Sequence, residues 1–82
     1  MREKIIEVMG EIAEAGGLKL VAPLLDETVL LESGLDSLGF AVLVTRLEED
    51  LGYDPFTLME EPVSPRTLGD FVAIYERYRL PR

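Results

Sequence analysis

An apolar stretch set between two glycines constrains the fold of this chain more than any other feature. Residues 38–47 are mostly apolar, Gly34 precedes them and Gly52 follows them. Asp36 is one of the residue types that best cap a helix N-terminus, and glycine is the residue favoured just past a helix C-terminus. The stretch therefore predicts a helix over about 36–51.

This predicted helix is apolar on nearly all sides, and its charges come late. A surface helix needs only one apolar stripe, so a helix that is apolar all round is buried or binds a partner. Acids near a helix C-terminus oppose the helix dipole. They form either a solvated helix end or a surface that contacts a partner. The late charged residues are Arg46, Glu48, Glu49 and Asp50.

The chain before this helix predicts one more helix and a long loop. Apolar residues from Ile5 to Ile12 follow helical spacing and predict a helix over about 2–15. Residues 18–35 favour a long loop that packs several leucines under the helices. A strand–turn–strand pair is the weaker interpretation, because an isolated hairpin would have little to pair with. Loops of this length are uncommon unless they serve a function.

The chain after the central helix predicts two further helices. Asp54 as N-cap and Pro55 at the first helical position predict a helix of one or two turns. Thr67 and Asp70 resemble a capping box and predict a last helix over about 67–79.

Together these elements predict an all-α fold over residues 1–82, as one small domain. The expected architecture is an antiparallel four-helix bundle with three main helices and one short helix. Pro62 and Pro65 should stiffen the loop before the last helix, and that helix should stop before Pro81.

The charge of the chain is strongly acidic and unevenly distributed. Residues 1–65 hold 14 acids and 4 bases, whereas residues 66–82 hold 2 acids and 4 bases, which gives a net charge of −8. This charge disfavours nucleic acid and anionic membranes and favours partners with basic patches. No apolar run approaches the roughly 20 residues of a membrane span, and the first residues lack a signal-peptide core. We therefore expect a soluble, monomeric protein of the cytoplasm.

The residues offer little for catalysis. The chain has no histidine and no cysteine, so a serine nucleophile would lack its commonest base. Lys4 and Lys19 lie on other segments than the central helix. The neighbouring acids Glu48 and Glu49 do not converge on a helix, as a catalytic carboxylate pair must. We expect no enzyme, no catalytic residue and no defined metal site.

Ser37 would lie on the first turn of the central helix, and its role there is open. A serine near a helix start commonly serves as a cap. Backbone N–H groups at this end lack internal partners and the dipole is positive, so a phosphate on the hydroxyl would be favoured. From the residues alone, both a capping serine and a modification site remain possible interpretations.

The five residues 34–38, with the sequence GLDSL, resemble the attachment motif of the acyl and peptidyl carrier proteins. In that family the serine after the aspartate holds a 4′-phosphopantetheine arm. The family's order of helices and loops also matches this chain over nearly its whole length. Segments 25–31 and 64–68 are similar to the family's stretches before the motif and before the last helix.

The resemblance implies a role for each residue of the motif. Ser37 would carry 4′-phosphopantetheine, Asp36 would help position the phosphopantetheinyl transferase, and Leu38 would border the arm. The arm's thiol would hold an acyl or aminoacyl group as a thioester. An acyl- or aminoacyl-loading enzyme would attach this group, and a downstream transferase or synthase would take it over.

Two positions depart from the fatty-acid carriers, which commonly have acids where this chain has Gly39 and Val42. The departure argues against salt-bridged docking to fatty-acid synthesis enzymes. It implies a freestanding carrier of a specialised pathway, such as polyketide, nonribosomal peptide or modified acyl chain biosynthesis. Docking would use apolar contact at the outward-facing one of Phe40 and Val42. Further partner contacts would come from Glu48 and Glu49.

Two alternatives to an acyl carrier remain. An aminoacyl or peptidyl carrier would share the fold and the arm. An unmodified helical adaptor would bind partners through the helix 36–51 and never gain the arm. The mass of the protein after incubation with coenzyme A and a transferase separates the adaptor from both carriers.

Overall fold

Helices account for most of the chain in the computed structural model, which describes residues 1–61 and 63–79. The described residues contain no strand, only an isolated bridge between Val29 and Thr67. The predicted all-α bundle of three main helices and one short helix is confirmed. Pro62 and Pro81, with the roles predicted for them, lie outside the described residues. The four α-helices of these residues are α1 (Arg2–Ala15), α2 (Ser37–Leu51), α3 (Pro55–Leu58) and α4 (Leu68–Arg77).

The ends of α2 follow the predicted capping chemistry. The Asp36 side chain accepts a hydrogen bond of 2.8 Å from the backbone N–H of Gly39. At the other end Gly52 adopts a left-handed conformation with φ 85°, and its N–H donates to the Glu48 carbonyl at 2.8 Å. The predicted helix over about 36–51 is thus confirmed, with Asp36 as its cap rather than its first residue.

The last helix is shorter than predicted. Its capping box forms, because Thr67 accepts from the Asp70 N–H and the Asp70 carboxylate accepts from the Thr67 N–H. The helix ends at Arg77, however, and not near residue 79. The Arg79 N–H donates to the Glu76 carbonyl at 3.4 Å, which is only three residues back. The α-helical hydrogen-bond pattern therefore ends with the N–H of Tyr78.

The long loop before α2 packs some of its leucines and exposes others. Leu30 and Leu35 are buried, whereas Leu31 is 72% exposed. The loop is fastened to α4, since the Leu68 N–H donates to the Thr28 carbonyl at 2.9 Å. The predicted loop is correct, with one addition that spacing did not show, a 3₁₀ turn over Leu30–Glu32.

Helices α1 and α2 run antiparallel, and two ion pairs join them. Lys4, near the start of α1, pairs with Asp50, near the end of α2, at 3.2 Å. Glu11, further along α1, pairs with Arg46, which comes earlier in α2. Their buried side chains, with those of the loop and α4, form one core that includes Ile5, Met9, Leu43, Leu47, Phe71 and Tyr75.

Only part of the apolar surface of α2 faces this core. Leu43 and Leu47 are fully buried, while Leu38 is 73% and Val42 41% exposed. The apolar outer surface predicted for this helix is therefore present. No helix in the described ranges is long and apolar enough to cross a membrane.

Candidate functional site

Ser37 is the first residue of α2, and its side chain is exposed. The Asp36 carbonyl accepts the first helical hydrogen bond, from the Phe40 N–H at 3.0 Å, and the Asp36 carboxylate takes the Gly39 N–H. The N–H groups of Ser37 and Leu38 precede the first of these bonds and lie at the positive end of the helix dipole. A phosphate on the Ser37 hydroxyl would meet a favourable field there.

The loop that carries this serine is held in place from several sides. Leu35 is 2% exposed and anchors the turn in the core. Ser33 is buried, and its hydroxyl donates to the Leu30 carbonyl at 2.5 Å. The Val21 N–H donates to the Ser33 carbonyl at 2.8 Å. The structure therefore presents Ser37 from a fixed loop, while the neighbouring serine is withdrawn from solvent.

One groove opens beside Ser37 between the 3₁₀ turn, α2, α3 and α4, and we call it the aromatic groove. Its volume is about 600 Å³, and none of its described lining residues is charged. Phe71 forms part of its wall, with ring centroids 6.3 Å from Phe40 and 6.0 Å from Phe56. Leu31 and Ser37 lie among the residues that line it.

A second groove lies between the last turns of α1 and the first turns of α2, and we call it the α1–α2 groove. Its volume is about 410 Å³. Exposed apolar side chains of Leu18, Leu38 and Val42 line it, together with the backbone of Gly39. Gly39 is buried, and a Cβ atom on it would lie 3.2 Å from the Asp36 carboxylate and 3.3 Å from the Leu35 side chain.

The lining of the α1–α2 groove includes charged residues, unlike the described lining of the aromatic groove. Asp36 is one of these charged residues, and the ion-paired residues Arg46 and Glu11 are the others. The hydrogen bond to the Glu11 carboxylate raises the pKa of Arg46, and the charges of Asp50 and Glu49 act in the same direction. The Arg46 guanidinium therefore interacts with these neighbouring acids.

The structure brings together some of the predicted site residues and separates others. Asp36, Ser37 and Leu38 form one exposed turn. Glu48 and Glu49 are exposed at the far end of α2, about 17 Å along the helix from Ser37. No group of three or more acids that could hold a metal ion occurs in the described ranges.

The structure shows which of Phe40 and Val42 faces outward, a choice that the sequence left open. Phe40 is half-buried and turns toward Phe71, whereas Val42 faces outward. Sequence reasoning missed the contributions of Phe56, Phe71 and Leu18 to the two grooves. Only tertiary packing brings these side chains beside α2, and no spacing within one segment could show it.

A family model described as "Phosphopantetheine attachment site" matches residues 3–72, which is most of the 82-residue chain. The chain belongs to this family of carrier domains. Such domains bear covalent 4′-phosphopantetheine, are not catalytic themselves, and interact with a phosphopantetheinyl transferase and with acyl-handling enzymes. No curated protein and no solved structure gives a significant match to the chain.

Proposed function

We propose that Ser37 is the residue to which the arm is attached and that the carried group is an acyl chain. The observation that carries the assignment is the contrast between two serines of one loop. Ser37 is exposed at the positive end of α2, whereas Ser33 is 1% exposed and donates its hydroxyl to the Leu30 carbonyl. Only Ser37 of this pair offers a free hydroxyl to a transferase.

The neighbours of Ser37 support this role by their position. The Asp36 carboxylate holds the Gly39 N–H and so fixes the start of the helix that presents the hydroxyl. Leu38 is 73% exposed and would border the arm. When bound, the arm supplies a thiol that holds the cargo as a thioester.

The aromatic groove supports an acyl cargo over an aminoacyl one. It opens at Ser37, and its described lining consists of apolar and hydroxyl-bearing residues. An apolar chain would gain roughly 25 cal/mol for each Å² of surface removed from water. An ammonium group in the same place would lose its hydration without a carboxylate to replace it. The groove therefore suits a chain such as a fatty or polyketide acyl group.

Loading the arm with two matched groups tests the cargo assignment. We expect an octanoyl thioester to shift the amide NMR signals of Phe40, Val44 and Phe71, which line the groove. An alanyl thioester should leave these signals unchanged. Equal shifts with both groups, or none with octanoyl, would contradict an acyl-binding groove but would leave the attachment at Ser37 untouched.

The partner surface that we propose is apolar and lies beside the serine. Val42 is its centre because it is the outward-facing residue of the pair Phe40 and Val42. Glu48 and Glu49 are further contacts, exposed at the other end of α2 for basic groups of a partner. The absence of acids at positions 39 and 42, which are Gly39 and Val42, supports a carrier of a specialised pathway. We also propose that the protein acts in the cytoplasm.

A further inference from the structure

Lys19 is a base that the structure leaves without an acidic partner. Residues 1–65 contain four bases, and three of them, Arg2, Lys4 and Arg46, form ion pairs. Lys19 forms no ion pair with any of the described residues, although the chain has a net charge of −8. In a protein with this excess of acids, an unpaired cation is available to an anion that arrives from outside.

The backbone of Lys19 is fixed beside the turn that carries Ser37. A Cβ atom on Gly34 would overlap the Lys19 carbonyl oxygen and lie 3.0 Å from its carbonyl carbon, so the two backbones are in direct contact. Two residues after Lys19, the Val21 N–H donates to the Ser33 carbonyl at 2.8 Å. Gly34 precedes Ser37 by three residues, a stretch of at most about 11 Å when fully extended. Lys19 therefore lies close to the start of α2.

The side chain of Lys19 suits a phosphate at this place. Lys19 is exposed, whereas its neighbour Leu20 packs against the core. A lysine ammonium is a compact charge on a flexible four-carbon stem, and it binds phosphates as a point charge. The family to which the chain belongs carries 4′-phosphopantetheine, whose phosphate forms a negatively charged diester with the serine. The unpaired cation and this group are complementary in charge.

We propose that Lys19 forms an ion pair with the phosphate of the arm attached at Ser37. Lys19 would be a positioning residue, which holds the base of the arm beside Gly34 and leaves the thiol end free to move. This inference rests on the proposed attachment at Ser37. It assigns a role to a residue of the long loop, outside the motif of residues 34–38.

Arg66 is a rival for the same role. It is exposed and adjacent to Pro65, which lines the aromatic groove together with Ser37. Like Lys19, it forms no ion pair with the described residues. An acid already lies beside it, however, because its backbone N–H donates to the Asp70 carboxylate at 3.2 Å. This difference favours Lys19 as the partner of the phosphate and makes Arg66 a matched control.

Melting temperatures before and after attachment test the ion pair. Attachment adds negative charge to an acidic chain, and Lys19 would offset it in wild type. We would follow unfolding by circular dichroism at about 0.01 M ionic strength, with complete attachment checked by intact mass. The change on attachment should be lower in Lys19→Gln than in wild type by at least about 1 °C, since exposed pairs are weak but small domains respond by several degrees. The difference should shrink at about 0.15 M, because salt screens exposed charges.

Two further variants separate the position of the charge from its amount. Lys19→Arg keeps the charge and should behave like wild type. Arg66→Gln removes an exposed base from the other side of the serine and should also behave like wild type. Each protein is compared with its own unmodified form, so an effect of the substitution on folding alone cancels.

The phosphorus nucleus of the arm provides a second readout that does not depend on stability. An ion pair restrains the phosphate, and restrained groups relax faster in the transverse NMR experiment. The 31P signal should therefore relax faster in wild type and Lys19→Arg than in Lys19→Gln.

The outcomes distinguish this inference from the proposed function. Equal temperature changes in wild type and Lys19→Gln, or equal 31P relaxation, would overturn the ion pair and leave the attachment at Ser37 intact. An Arg66→Gln that behaves like Lys19→Gln would also overturn it, because net charge would then explain the effect. Lys19→Gln should still be labelled to completion, since the pair forms only after attachment, and failure of this labelling would contradict the assigned role. If wild type gained no arm, the proposed attachment would fail and this inference would fail with it.

Discussion

The backbone of Gly34 lies directly against that of Lys19. A Cβ atom on Gly34 would overlap the Lys19 carbonyl oxygen and lie 2.8 Å from the Leu20 Cα atom. Gly34 also has φ 115°, a conformation that side chains of L-residues rarely adopt. The glycine of the motif therefore allows two parts of the long loop to meet, and this contact sets the position of Ser37.

We predict that Gly34→Ala destabilises the protein by at least about 1 to 3 kcal/mol, from backbone strain alone. The overlap with Lys19 adds to this cost, because backbone atoms cannot move aside as a flexible side chain can. Urea unfolding followed by circular dichroism measures the change. The matched control is Gly10→Ala, in the middle of α1, where a Cβ atom meets nothing within 4 Å. That variant should gain about 0.5 to 1 kcal/mol, since alanine is the better helix former. Equal stabilities for the two variants would show that Gly34 is not required by the fold.

Phe40 and Val42 should respond to substitution in opposite ways. Phe40→Ala removes part of the aromatic groove and should cost about 1.5 to 3 kcal/mol of unfolding free energy. Val42→Asp should change the unfolding free energy by only about 0.5 kcal/mol, because the side chain is 41% exposed.

Val42→Asp should nevertheless lower acyl transfer by the cognate enzyme at least tenfold, because it puts a charge into an apolar contact. Salt up to physiological strength should affect this transfer less than the substitution does. Transfer that fails with salt but tolerates Val42→Asp would instead indicate docking through Glu48, Glu49 and Asp50.

The sequence was sufficient for the helices and insufficient for the grooves. Local chemistry marks each helix end, as Asp36 and Gly52 do for α2, so spacing and caps predicted these elements closely. The exposure of Val42 and the burial of Phe40 depend on which side of α2 meets α4, and the sequence therefore left that choice open. The end of α4 was predicted two residues too late. A base is favoured in the last turn of a helix, so the sequence placed Arg79 inside α4.

Salt should stabilise this protein against heat. Residues 1–65 carry 14 acids and 4 bases, and the structure places Arg2, Lys4 and Arg46 in exposed ion pairs. Exposed pairs of this kind contribute little to stability, so repulsion among the other acids dominates. Screening lengths fall from about 30 Å at 0.01 M to about 8 Å at 0.15 M ionic strength. We expect the melting temperature to rise over this range, and a flat or falling curve would contradict the prediction.

Asp70 should make α4 sensitive to acid. Its carboxylate accepts the backbone N–H groups of Thr67 and Arg66, each at 3.2 Å, and these bonds lower the pKa of Asp70 below its ordinary value. A folded-state pKa below the unfolded value of about 3.9 means that the ionised group stabilises the fold above that pH. This contribution is lost as the pH falls through the lowered pKa.

We therefore expect the melting temperature of wild type to fall more steeply below about pH 4 than that of Asp70→Asn. The control is Glu76→Gln, which removes an exposed acid from the same helix and leaves the capping box in place. Identical acid profiles for wild type and Asp70→Asn would show that the capping box contributes nothing through its charge.

The intact mass of the protein, after incubation with coenzyme A and a broad-substrate phosphopantetheinyl transferase, tests the central claim most directly. Wild type should gain one phosphopantetheine, and Ser37→Ala should gain none while it stays folded, since losing a first-turn serine costs at most about 0.5 to 2 kcal/mol. Ser64→Ala, which removes another exposed hydroxyl, should be labelled like wild type. Labelling of Ser37→Ala, or a wild type that no competent transferase labels, would contradict the account.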